Sequence, residues 1–265
     1  MRSVALTFIA LLVGAVEAQS QAPVITPGGV ADAAGFKSPV APGALVSIFG
    51  TNLAAGLAQA DTIPLSTTLG NVSVTFNGIP APLLFVSTGQ VNAQLPWNVL
   101  SSGTVGTANV VVTNNGQVST SVSVPVGPFS PGIFAINGIA VAINSDGSLA
   151  APANAIPGIP THAAKIGDQA GLVILCTGLG AVNPPVTTGD KVTDGQLHTA
   201  TTTPTVTIGN VAQQVVFAGM SPQFVGVNQI NIAVVPGTPT GNSLPLQIQV
   251  GGVTTSAQVT VAVSQ

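Results

Sequence analysis

The stretch ANVVVTNNGQVSTSVSV, Ala108 to Val124, alternates apolar and polar residues on both sides of Asn115-Gly116. Period-two alternation places one set of side chains on each face of an extended strand, and Asn-Gly tolerates the positive φ angles of a two-residue hairpin turn. The stretch therefore reads as two antiparallel strands, with Val118, Val122 and Val124 on one face of the second. The stretch LPLQIQVGGVTTSAQVTVAV, Leu244 to Val263, repeats the design around Gly251-Gly252.

Working outward, the hairpins close two copies of a longer unit. LVSIFGTNLA (Leu45 to Ala54) corresponds to LVILCTGLGA (Leu172 to Ala181), and VTFNGIPAPLLFVS (Val74 to Ser87) to VTIGNVAQQVVFAG (Val206 to Gly219). GQVNAQLP (Gly89 to Pro96) corresponds to NQINIAVVP (Asn228 to Pro236), and the order is the same in both copies. In NVSVTFNG, Val72, Val74 and Phe76 share one face. Helical spacing with caps is absent after the first residues. An all-β chain whose strands each have one apolar face must pair sheets face to face, which predicts two tandem immunoglobulin-like β-sandwiches. Pro128 and Pro131 in VGPFSPGIF interrupt strand pairing, so the expected sandwiches are residues 19–128 and 129–265, joined by a short semi-rigid linker. INSDGSLAAPANAIPG (Ile143 to Gly158) is expected to lead irregularly into the second copy.

The chain begins MRSVALTFIALLVGAVEAQSQAP. One arginine, an uncharged run from Val4 to Val16 and small residues before Gln19 form the pattern of a secretory signal peptide, residues 1–18, cut after Ala18. The run is shorter than the roughly 20 residues a membrane span needs. The expected location is extracytoplasmic: secreted, periplasmic or at the cell surface, with no membrane span.

After Ala18 the charged residues are Asp32, Lys37, Asp61, Asp146, Lys165, Asp168, Asp190, Lys191 and Asp194. Three lysines with no basic cluster make nucleic acid a poor partner, because phosphate binding relies on Lys and Arg. Cys176, the single cysteine, has no disulfide partner in the chain and reads as a small buried hydrophobe.

Chemistry has few carriers. With no glutamate, arginine or tyrosine after Ala18, acid–base work would rest on His162, His198 and six aspartates. There is no Gly-x-Ser-x-Gly elbow, so a hydrolase is the weakest of the readings. GDKVTDGQLH gathers Asp190, Asp194 and His198 but lacks the alternating oxygen ladder of a calcium loop, and no metal or cofactor is assigned. Trp97, the single tryptophan, is either a sugar-stacking platform or a cover for a sandwich end or the domain joint. The amides of Gln90, Asn92 and Gln94, and of Gln229 and Asn231, lie opposite the core-facing residues of their strands. Their recurrence predicts an internal role in which Asn92 and Asn231 bond backbone groups of their own sandwich.

APGALVSIFGTNLA, PLSTTLGNVSVTFNGIPAPLLFVSTGQVNAQLPWNV, SPGIF, CTGLGAVNPPV and FVGVNQINIAVVPG, in that order, resemble the uncharacterised Solibacter-type C-terminal domain of exported acidobacterial proteins. SIFGTNL also resembles the opening strand of IPT/TIG domains, immunoglobulin-like modules of cell-surface receptors and exported bacterial proteins. The resemblance implies a tandem sandwich in an extracellular setting and brings no catalytic residues. The expected function is a non-enzymatic adhesion or interaction module whose partner is a protein or cell-surface polysaccharide, with carbohydrate binding through Trp97 as the alternative.

Overall fold

The computed structural model describes residues 21–101, 105–168, 171–255 and 258–265, so the signal-peptide expectation for residues 1–18 lies outside the described residues. Every regular element among them is a β-strand. The chain forms two tandem immunoglobulin-like sandwiches.

In the first, one sheet sets Val24–Asp32, Leu45–Thr51, Gln90–Gln94, Leu83–Val86 and Ala58–Gln59 side by side in that order. The facing sheet runs Gln117–Val118, Gly106–Asn114, Val72–Phe76 and Thr68–Leu69, with Val122–Val126 also against Gly106–Asn114. The alternation seen in the sequence becomes the core: Ile48, Val74, Phe76, Leu83, Val91 and Val110 are among its fully buried residues. Each such large side chain stabilises the fold by about 1.5–3 kcal/mol relative to exposure.

The second sandwich has its own core around Ile174, Ile208, Ile230, Ile232, Leu246 and Ile248. One of its sheets is centred on Ala142–Ile143, Leu172–Thr177, Asn228–Ala233, Gln214–Met220 and Thr199–Ala200, and the other on Val259–Ser264, Gly241–Val250 and Thr205–Ile208. The lead-in from Ile143 is more regular than expected. Leu149–Ala150 pairs in parallel with Thr161–His162, and Ala164–Lys165 runs parallel to the last strand.

Both hairpin turns form as the dipeptides require, with φ of 48° and 79° at Asn115 and Gly116 and of 55° and 82° at Gly251 and Gly252. The face assignment of Val118 is corrected: it is exposed, and Ser119 is buried in its place. The Ser119 hydroxyl accepts the Val112 N–H at 3.0 Å, shifting the alternation before it resumes at Val122. Thr255 does the same for Ile248 at 3.2 Å in the second hairpin. No strand crosses residues 127–131, where the two prolines lie.

Candidate functional site

Polar side chains from two of the repeated motifs, Gln94 and Thr177, meet at the seam between the sandwiches. Gln94, fully buried, donates from Nε2 to the Gly43 carbonyl at 3.0 Å, and its Oε1 accepts the Gly189 N–H at 2.6 Å. Thr177 Oγ1, also buried, accepts the Leu45 N–H at 3.1 Å and donates to the Gly226 carbonyl at 3.3 Å. Leu65 N–H donates to the Gly189 carbonyl at 2.8 Å, and Trp97 N–H to Thr188 Oγ1 at 3.2 Å. Gly189, the first residue of GDKVTDGQLH, and Thr188 before it are thus strapped onto the first sandwich. Ser130 in the linker donates to the Pro39 carbonyl at 2.5 Å. Buried bonds of this kind contribute about 0.5–1.5 kcal/mol net each.

Beside these bonds lies an apolar cleft of about 500 Å³. Leu45 and Leu84 of the first sandwich face Phe134, Val141 and Leu175 of the second across it. Ile63 and Phe224, both about half exposed, lie along its lining, and Asp61 is its single charged residue. Leu84 reaches it because the strand Leu83–Val86 bulges: Leu83 pairs with Ala93 and Phe85 with the next residue, Asn92, so Leu84 is an extra residue outside the alternation.

The sequence-predicted residues fall as follows. Trp97 is half buried at the joint, in a smaller pocket of about 290 Å³ with Pro42, Leu100, Pro128 and Phe129. Its ring covers Gly43, where a Cβ would stand 2.2 Å from it, and its buried indole N–H has no hydrogen-bond partner among the described residues. Asn92 and Asn231 do not bond backbone as expected. Asn92 Oδ1 accepts from Gln90 Nε2 at 2.7 Å and from the Ser47 hydroxyl at 3.1 Å, and Asn231 Oδ1 accepts from Gln229 Nε2 at 3.0 Å. The backbone role belongs to Gln94 and to Asn228, whose Oδ1 accepts the Leu179 N–H at 3.2 Å.

The titratable groups do not assemble a nucleophile and base. His162 Nε2 lies 2.9 Å from Asp146 Oδ2 and its Nδ1 2.8 Å from the Ala163 carbonyl. The Ser148 hydroxyl also donates to Asp146, at 2.7 Å. The aspartate therefore stands between serine and histidine, whereas proton abstraction from serine needs the histidine there. Asp146 is held well below the ordinary carboxylate range by the Ser148 hydroxyl and N–H, then by His162. The Ala163 carbonyl, then Asp146, raises His162 above its ordinary 6.5. His198 is buried between the Pro184 carbonyl, 2.7 Å away, and Asp194, 3.2 Å away. The Gln196 N–H, then His198, holds Asp194 below the usual range. The Asp32 carboxylate, buried, caps a turn by accepting the N–H groups of Ala34, Gly35 and Lys37. Cys176 is fully buried, and burial pushes its thiol up, away from thiolate chemistry. Among the described residues no three His, Cys, Asp or Glu side chains converge on a metal position, and no helix is long and apolar enough to cross a membrane.

Residues 36–126, most of the first sandwich, match the model of the IPT/TIG domain family. No curated protein matches the chain. Among solved structures, the plexin A4 full extracellular region is 11% identical with a TM-score of 0.27, over 99% of this chain and 20% of that one. The I9–I11 tandem of titin is 11% identical with a TM-score of 0.21, over 92% of this chain and 67% of that one. Domains 5–6 of the S-layer protein SbsC are 14% identical with a TM-score of 0.26, over 91% and 98%. The chain thus spans about a fifth of the plexin chain it matches.

Proposed function

We propose that this chain is an extracytoplasmic, non-enzymatic interaction module whose two sandwiches, residues 19–128 and 129–265, present the cleft between them to a protein partner. The cleft carries the reading: its walls come from both sandwiches, it is lined mainly by aliphatic and aromatic side chains, and Ile63 and Phe224 remain half exposed there. A protein segment inserting an apolar side chain suits such a lining; a polysaccharide, which needs many hydrogen-bonding groups, does not. The separate cores support two folding units, the signal pattern at residues 1–18 supports export, and the IPT/TIG match supports an immunoglobulin-like module. The five ordered motifs support placing the chain near the Solibacter-type exported domains. The test is retention of proteins from the native exterior fraction on immobilised chain. A protein held by the wild type and lost with Ile63→Asp or Phe224→Asp, at an unchanged melting midpoint, supports the proposal. Equal retention by all three, or retention of polysaccharide alone, overturns it.

Carbohydrate binding through Trp97 is a second reading, resting on its buried indole N–H, which has no hydrogen-bond partner among the described residues. Because Trp97 is the single tryptophan, intrinsic fluorescence titrated with oligosaccharides tests it directly. An emission spectrum that stays unchanged at saturating sugar removes it.

A further inference from the structure

The two copies treat one equivalent strand edge differently. Leu83–Val86 and Gln214–Met220 carry the same bulge, since Val215 pairs with Ile232 and Phe217 with the next residue, Asn231, leaving Val216 where the first copy has Leu84. In the first copy the outer edge of the bulged strand is covered by the chain itself. Ala58–Gln59 pairs antiparallel with it, Ala58 opposite Val86 and Gln59 opposite Phe85, and the Ala60 N–H continues the ladder onto the Leu84 carbonyl at 2.9 Å. A bulge at this position therefore accepts an antiparallel strand on its outer side.

In the second copy the covering segment stops short. Thr199 pairs with Gly219, and the Met220 N–H donates to the His198 carbonyl at 2.9 Å. The chain then turns away, with the Thr201 N–H bonded to the Ala181 carbonyl at 2.9 Å. Among the described residues no strand pairs with Gln214–Phe217 on that side, and Val216 is 69% exposed. The strand QVVFAGM contains no charge and no proline to blunt its open edge, and its bulge is of the kind that still pairs on its outer side in the first copy. Unpaired backbone N–H and C=O groups along such an edge specify their occupant: another extended strand.

We propose that this edge is the contact through which two copies of the chain associate, their Val215–Phe217 segments pairing antiparallel about a two-fold axis that sets Val216 of one copy opposite Val216 of the other. An antiparallel pair of identical strands is self-complementary under that symmetry, the antiparallel sense is the one the first copy uses, and the segment brings no like charges together. The association is independent of the apolar cleft.

Sedimentation velocity of the wild type and of Val216→Lys tests it. The wild type sediments as a dimer and Val216→Lys as a monomer, while Val118→Lys, at an exposed valine of another hairpin, stays dimeric. Val216→Cys gives a disulfide-linked dimer on mild oxidation, with the buried Cys176 unaffected. A wild type that remains monomeric at concentrations on the order of 100 µM, corresponding to an association weaker than about 5.5 kcal/mol, overturns the proposal. So does a Val216→Lys variant that still dimerises, or a Val216→Cys variant that does not cross-link.

Discussion

Gln94 and Gly189 meet across the seam, the side-chain carbonyl of one accepting the N–H of the other at 2.6 Å, while the same amide donates to Gly43 within the first sandwich. One fully buried side chain thus ties the core of one unit to a loop of the next. Gln94→Leu leaves the Gly189 N–H and the Gly43 carbonyl without this partner, at an expected cost of about 1–3 kcal/mol. Gln94→Glu retains an acceptor for Gly189 but turns a carboxylate oxygen toward the Gly43 carbonyl, so it is expected to be the more damaging of the two at neutral pH. Denaturant melts measure both; a Gln94→Leu protein as stable as the wild type removes the clamp.

The amides of the repeated motif divide by what they touch. Asn228→Leu strands the Leu179 N–H in a buried site and is expected to cost about 1–3 kcal/mol. Asn231→Leu releases only a half-buried glutamine side chain that water can satisfy, so it is expected to stay within about 0.5 kcal/mol of the wild type, whereas Asn92→Leu also leaves the buried Ser47 hydroxyl without this acceptor and is expected to fall between the other two. Melting midpoints of the three variants order them, and a larger loss at Asn92 than at Asn228 reverses the assignment.

This division also marks how far the sequence reads. Asn115-Gly116 and Gly251-Gly252 were legible because a positive-φ requirement is local, and the valine alternation around them exposes the core face directly. Ser119 and Thr255 were not, because a hydroxyl that replaces a strand partner looks like any polar residue between apolar ones. The motif containing Gln94 stands out by repetition, but its role depends on Gly189, 95 residues away, and no local rule carries that contact. Leu84 enters the cleft through a bulge, which shifts register without a mark in the alternation. Trp97 stood out as the single tryptophan, a sugar platform or a cover for a sandwich end or the domain joint, and its indole N–H without a partner among the described residues emerged only with the packing.

Gly78 and Gly178 separate backbone strain from lack of room, with φ of 78° and 77°. A Cβ at Gly78 meets nothing within 4 Å, whereas one at Gly178 would lie 1.8 Å from the Ser130 carbonyl oxygen, in the linker between the sandwiches. Gly78→Ala is expected to cost about 1–3 kcal/mol, the ordinary penalty of a side chain in the left-handed region. Gly178→Ala adds displacement of the Ser130–Pro131 backbone and loss of the Ser130 N–H bond to the Gly178 carbonyl, so it is expected to be clearly worse. Equal midpoints for the two alanine variants would show that the linker yields freely.

His162 and Asp146 give the stability a pH dependence whose sign follows from their shifts. The Ala163 carbonyl and then Asp146 raise His162 above 6.5, against opposing contributions from partial burial and then from Lys165. A base with a raised folded-state pKa contributes stability that is fully present below its unfolded value and is lost as pH rises through the folded one. Asp146 behaves conversely: held below 3.8 by Ser148 and His162, it contributes above that value and loses the contribution as pH falls through its depressed one. The pair therefore contributes between the depressed aspartate value and the raised histidine value, and fades on the alkaline side. Exposure of both side chains and screening by salt keep the effect small, so the site itself is the better reporter. The His162 ring protons are expected to titrate with a midpoint above 6.5 in the wild type, and Asp146→Asn is expected to bring that midpoint down while leaving the fold intact. Ser148→Ala frees Asp146 from its strongest partner and is expected to raise the carboxylate's own midpoint, with His162 still bonded to it. Nuclear magnetic resonance titrations of the three proteins resolve these shifts, and a His162 midpoint that does not respond to Asp146→Asn means the pair is not formed in solution.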